Sequence, residues 1–264
     1  MKKILCLPNS EPYTSVKNFI PYMLLIGFSF YTFPLVGQSI CDGDQLQFTA
    51  SSGIEGIPNG ANYYQHQIKL YTTTNMTAEE IHQLGLSEVA RISSEMEKVK
   101  EQVGYEGDLK SFFEYVRTNK ELMPFTEPKQ VIDNFYAIYD RMKPQLEKLF
   151  DLKPKADFEV RRTEAFREKS ASAEYNPGSL DGKRPGIFYT PIPDVTAYNT
   201  YSDESLFLHE AIPGHHYQIS LTQESTTLPQ FRKTLWNSAY GEGWALYTES
   251  LGKELGLYLS LIHI

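Results

Sequence analysis

His209-Glu210-Ala211-Ile212-Pro213-Gly214-His215-His216 and, further on, Gly241-Glu242-Gly243-Trp244-Ala245-Leu246-Tyr247-Thr248-Glu249 are the stretches whose reading decides this chain. Three of the six histidines fall within eight residues, and a glutamate follows the first directly. A hydrolytic zinc site needs three nitrogen or oxygen ligands, an open position for water and a carboxylate beside that water. In the familiar His-Glu-x-x-His helix the two imidazoles stand at i and i+4 on one face, and the glutamate addresses the water. Here His209 to His215 is a spacing of six and His209 to His216 a spacing of seven. Six residues of ideal helix put the rings on different faces. Seven put them on one face but about 10 Å apart along the axis, too far for one ion. Pro213-Gly214 resolves the mismatch, because proline removes a backbone donor and glycine accepts unusual dihedrals. A bulge that absorbs two residues restores His209 and His215 to the i, i+4 relation, whereas His216 needs three absorbed. The spacing favours His215 as the second ligand and leaves His216 as the alternative.

The second stretch reads as a helix. Glu242, flanked by two glycines, suits a close backbone approach and is the third candidate ligand. Glu249 lies seven residues on, on one face with Glu242, Ala245 and Leu246, where it can orient a ligating imidazole. Glu210 is the candidate catalytic base. The bland alternative is a hydrogen-bonded polar cluster at a helix bend.

Outward from these stretches the pattern is mostly helical. Thr77 with Glu80 forms a capping box ahead of Ile81, Leu84, Val89, Ile92, Met96 and Val99. Asp108 caps a helix through Leu109, Phe112, Phe113 and Val116. Thr126, with Pro128 in the first turn, opens a third helix carrying Val131, Phe135, Ile138, Tyr139, Met142, Leu146 and Leu149, which Pro144 should kink. Phe158–Arg162 and Gly186–Thr190 read as two strands around a loop of turn formers, and the second is a candidate for pairing with an extended peptide. Ser202 or Asp203 caps the helix that runs into the histidines. Tyr189, Tyr198 and Tyr240 are candidate oxyanion donors, and Arg161-Arg162 a candidate contact for a substrate carboxylate.

Bulk properties exclude some classes. A net charge of -8 with no basic run argues against a nucleic-acid partner. The two cysteines, Cys6 and Cys41, both lie near the start, so any metal in the rest must be held by histidine and carboxylate. Residues 1–52 form an atypical leader whose apolar run, Phe19 to Gly37, reads as a signal peptide, a membrane anchor or an artefact. Residues 53–258 form a partial catalytic domain, and 259–264 read as a truncation tail. The leader makes the protein exported or anchored in the periplasm or cell envelope if it is functional, with a membrane partner only if it is an anchor; otherwise the protein is cytoplasmic.

The quoted motifs resemble a widespread bacterial family catalogued as domain of unknown function 885. Ile57-Pro58-Asn59-Gly60-Ala61, Tyr71-Thr72-Thr73-Thr74 and Glu80 to Leu86 match its style as well. Members are similar to helical zinc peptidases such as angiotensin-converting enzyme and the thimet-type oligopeptidases. The resemblance implies a mainly α fold, a helical zinc-peptidase-like domain with a short β-sheet beside the metal, incomplete here at both ends. It implies Zn2+ on His209, His215 and Glu242, Glu210 as the base, and a peptide as substrate. The expected activity is peptide-bond hydrolysis by metal-activated water, with this fragment alone either active or inactive. The alternative is a metal-binding or catalytically inactive helical scaffold.

Overall fold

The computed structural model describes residues 53–259. The expectations for the leader 1–52, its apolar run and cysteines, and for the tail beyond Leu259, lie outside the described residues.

Helices begin where local chemistry supplies the missing hydrogen bonds of a first turn. Helix α1 spans Gly60–Thr72, a segment whose helicity the sequence pattern did not announce. Helix α2, Ala78–Val103, carries the expected box: the Glu80 N–H donates to Thr77 Oγ1 at 3.2 Å, and the Thr77 N–H donates to the Glu80 carboxylate at 2.7 Å. Helix α3, Leu109–Thr118, is capped by Asp108, which accepts from the Ser111 N–H at 2.8 Å. Helix α4, Pro128–Leu149, is capped by Glu127 rather than Thr126, and the Gln130 side chain accepts from the backbone N–H of both. Pro144 lies within α4, whose helical course continues to Leu149.

The core grows from one face of α4. Val131, Phe135, Ile138, Met142 and Leu146, three or four residues apart, are all buried. They pack on a three-stranded sheet of β1 (Phe158–Arg162), β2 (Glu174–Asn176) and β3 (Gly186–Thr190). The short strand β2 sits at the mouth of the loop whose turn formers predict no strand. The strand order is β1-β3-β2, with β1 parallel and β2 antiparallel to β3. Strand β3 is therefore central and buried throughout, which corrects the expectation that it pairs with a peptide. The unpaired edges belong to β1 and β2. Phe135 meets Phe188 edge-on at 4.9 Å and stacks on Phe207 at 6.3 Å. Each such buried ring contributes about 1.5–3 kcal/mol.

The remaining helices are α5 (Asp203–Glu210), α6 (His215–Glu224), α7 (Gln230–Thr234) and α8 (Ser238–Ser250). Neither Ser202 nor Asp203 caps α5 through its side chain. The buried Asp203 carboxylate instead accepts from Tyr198 Oη at 2.8 Å and Asn134 Nδ2 at 2.7 Å, and burial pushes its pKa up to about 7. Next to it, Glu204 accepts from Arg141 at 2.5 Å and from the Tyr258 N–H at 2.6 Å, pinning the end of the described chain to α4 and α5. The apolar stripe of α2 is present but largely exposed at Leu84, Val89 and Ile92. The molecule is mainly helical with a small sheet, and no helix among the described residues is long and apolar enough to cross a membrane.

Candidate metal centre

The histidine segment is interrupted completely, not bulged within one helix. Helix α5 stops at Glu210, Ala211 to Gly214 turn tightly through a cis Ile212–Pro213 peptide, and α6 restarts at His215. Gly214 makes the turn possible. A Cβ there would stand 1.8 Å from the His209 carbonyl oxygen and 2.3 Å from that of Leu208, so no larger residue lets the chain fold back so closely. The return brings the His209 and His215 rings to a centroid distance of 4.8 Å at an interplanar angle of 85°.

A broken helix leaves carbonyls without intrahelical partners. Helix α8 supplies the donors. Trp244 Nε1 donates to the Pro213 carbonyl at 2.8 Å, and the Thr248 hydroxyl lies 2.8 Å from the Leu208 carbonyl. From α6, Gln218 Nε2 donates to the Tyr240 carbonyl at 3.0 Å. These bonds seat Glu242, one turn into α8, opposite both imidazoles.

Nε2 of His209 is 3.4 Å and Nε2 of His215 3.6 Å from Glu242 Oε2, and the three candidate donor atoms lie within 4.8 Å of one another. The other nitrogen of His209, Nδ1, meets Glu249 Oε1 at 2.7 Å. Burial works against a charge on His209, yet Glu242 and Glu249 outweigh it and lift its pKa to about 9. The facing imidazoles of His209 and His215 hold Glu242 down at about 2. Glu210 ends α5 beside this cluster, and burial raises its pKa against the pull of both histidines. Glu210 is buried as a residue, and its carboxylate accepts no hydrogen bond from any described residue.

Residues 41–261 match the model of a family described as bacterial protein of unknown function, DUF885. The chain belongs to the DUF885 family. A crystal structure of a Colwellia psychrerythraea protein, provisionally described as a lipoprotein, superposes on the DUF885 chain with a TM-score of 0.76 at 30% identity. The match covers 80% of this chain and 37% of that one, so the chain spans well under half of this solved relative. No curated protein matches.

Elsewhere in the DUF885 chain, His216 points away from the cluster. Its Nδ1 lies 2.9 Å from the Tyr175 hydroxyl of β2, its ring packs on Phe158, and burial depresses its pKa to about 4. Gly186 leaves room for this pair, since a Cβ there would lie 2.0 Å from Tyr175 Oη. Tyr198 is committed to Asp203, and Tyr189 carries Arg167 over its ring at 5.0 Å. Tyr240, on α8 close to Glu242, is exposed. Arg161 and Arg162 are both engaged within the protein, by Glu159 and Glu168. Leu246, expected on the face of Glu242, is exposed, and the buried positions of α8 are Gly241, Ala245 and Thr248. No sequence pattern singles out Tyr175 or Trp236, yet both lie at the site. The Trp236 ring covers Gly241 and meets His215 at 5.8 Å, and its only signal was an aromatic just ahead of the α8 cap Asn237.

Proposed function

We propose that this chain carries the catalytic site of a zinc-dependent peptidase built on a helical zinc-peptidase-like domain. His209, His215 and Glu242 would hold Zn2+, and Glu210 acts as general base on a peptide substrate. The donor set fits the ion. Ligands about 2.1 Å from one tetrahedral zinc lie roughly 3.4 Å from each other, and both imidazole-to-carboxylate separations are close to that, at 3.4 and 3.6 Å. Zinc bound there supplies a polarised carbonyl oxygen and a water of lowered pKa. Glu210 then takes the proton of the attacking water on its carboxylate and delivers it to the leaving amine nitrogen. Glu249 fixes the His209 ring so that Nε2 faces the site.

The observation that carries this reading is the convergence of one donor atom each from His209, His215 and Glu242 within 4.8 Å, with Glu210 beside both imidazoles. A carboxyl whose pKa is raised by burial, set beside a cluster of candidate ligands, is the arrangement expected of a functional site. An exported or envelope location is part of the proposal, supported by the leader's apolar run and by the description of the Colwellia relative.

The test is metal content and cleavage of an internally quenched peptide by the purified chain and by Glu210→Gln. One zinc per chain in both, with cleavage falling about 100-fold or more in the variant, is expected. Stoichiometric zinc with no cleavage by the unsubstituted chain would favour the catalytically inactive scaffold instead.

A further inference from the structure

A cavity of about 330 Å³ opens directly beside the metal cluster, between the loop after β2 and helices α6 to α8. It shares a wall with the centre, because Trp236 lines it and also meets the His215 ring, while Tyr240 and Gly241 lead into Glu242. Leu235, Trp236 and Tyr240 form an exposed apolar rim. Such a rim, clustered at the mouth of a concave site, marks a ligand surface. Gln218 and Gln223 add amide groups, and Lys233 is half-buried in the lining. No aspartate or glutamate lines the cavity, and Lys233 has no ion pair among the described residues. A lysine in the wall of a cavity that holds no acidic residue favours an anion that arrives with the ligand.

Resting on the peptidase reading, we propose that this cavity is a substrate subsite that accepts a large apolar side chain against Trp236 and a neighbouring peptide carboxylate on Lys233. The carboxylate comes either from the C-terminus of the peptide or from an acidic side chain. The cavity, about 330 Å³, has room for an aromatic side chain together with the carboxylate next to it; a terminal carboxylate implies cleavage near a chain end, an acidic side chain an internal site.

Calorimetry on the full chain carrying Glu210→Gln, which keeps peptides intact, distinguishes the two. Three probes serve: acetyl-trialanyl-phenylalanine with a free carboxylate, the same peptide as its amide, and acetyl-dialanyl-glutamyl-phenylalanine amide. One of the two carboxylate peptides should bind about tenfold tighter than the neutral amide. Which one does so names the source. Lys233→Met should erase the preference and Lys233→Arg should keep it, so that a carboxylate bound elsewhere in the site is recognised by its indifference to Lys233. Equal binding of all three probes, a preference that survives Lys233→Met, or no binding of any probe overturns the subsite. Cleavage by the unsubstituted chain, measured in parallel, reports the peptidase reading separately. Cleavage without a Lys233-dependent preference removes the subsite alone.

Discussion

The carboxylate of Glu249 meets Nδ1 of His209 at 2.7 Å, and this single contact decides which nitrogen of that imidazole faces Glu242. The two residues are far apart in sequence and on different helices, so the contact also reports the docking of α8 on α5. Glu249→Gln keeps the size of the side chain and a hydrogen-bonding oxygen but loses the charge. It should weaken zinc binding about tenfold, and Glu249→Ala up to about 100-fold. Zinc titration against a competing chelator reads both. Unchanged affinity in Glu249→Ala would remove this residue from the metal centre.

At the proposed centre, a proton and the metal would compete for His209. With its pKa raised to about 9 by the two carboxylates, the metal-free centre holds a proton on His209 throughout the neutral range. The raised value means that the proton's contribution to folding is complete below the ordinary histidine pKa of about 6.5 and disappears as the pH climbs past about 9. Zinc must displace that proton, so its affinity should rise about tenfold per pH unit up to about pH 9 and then level off. Calorimetry at pH 7.5 in buffers of different ionisation enthalpy should count about one proton released per zinc.

Gly214 and Gly243 form a matched pair for testing the turn. Gly214→Ala forces a methyl group into the backbone carbonyls at the end of α5, whereas a methyl group at Gly243 meets nothing within 4 Å. The first variant should lose zinc binding and melt at lower temperature, by an amount equivalent to about 2 kcal/mol or more. The second should keep zinc and gain up to about 1 kcal/mol, as alanine usually does over glycine within a helix. Thermal denaturation with metal analysis checks the pair.

Much of this arrangement was legible beforehand. Thr77 with Glu80 and Asp108 announced two helix starts, because a cap is a local transaction between a side chain and an N–H three residues away. Glu249 was legible from the seven-residue spacing to Glu242. Other features depended on distant partners. The form of the break after Glu210 is set by donors from Trp244 and Thr248, which no local pattern around Pro213 contains. Strand β2 is three residues long and exists because β3 offers an edge. Leu246 turned outward because Gly241, Ala245 and Thr248 set the rotation of α8. The role of His216 could not be read without Tyr175, brought to it from across the sheet.

His216 provides a separate check. His215→Gln should abolish stoichiometric zinc, while His216→Gln should retain it. The latter removes a buried contact to Tyr175 and should cost about 1–3 kcal/mol of stability. Metal analysis of folded samples, verified by circular dichroism, separates ligation from packing.

Asp203 predicts a stability profile that is independent of metal. Its folded pKa of about 7 stands above the ordinary aspartate value of 3.8, so its contribution is fully present below about pH 4 and is lost as the pH rises through 7. Asp203→Asn has no such titration. The melting temperature of the variant relative to the parent should therefore climb between pH 5 and pH 8, by the equivalent of up to a few kcal/mol. A flat difference across that range would contradict the raised pKa of the buried Asp203 carboxyl group.

The donors that α8 extends to Pro213 and Leu208 tie the two halves of the centre into one cooperative unit. A peptide of residues 203–224 carries both imidazoles and the glutamate between them, yet nothing within it satisfies the carbonyls that the turn exposes. Such a peptide should straighten or unravel in water. The smallest autonomous piece able to bring the two imidazoles together must reach at least from Leu208 through Thr248, so the chemistry here has no minimal motif that could be transplanted by itself.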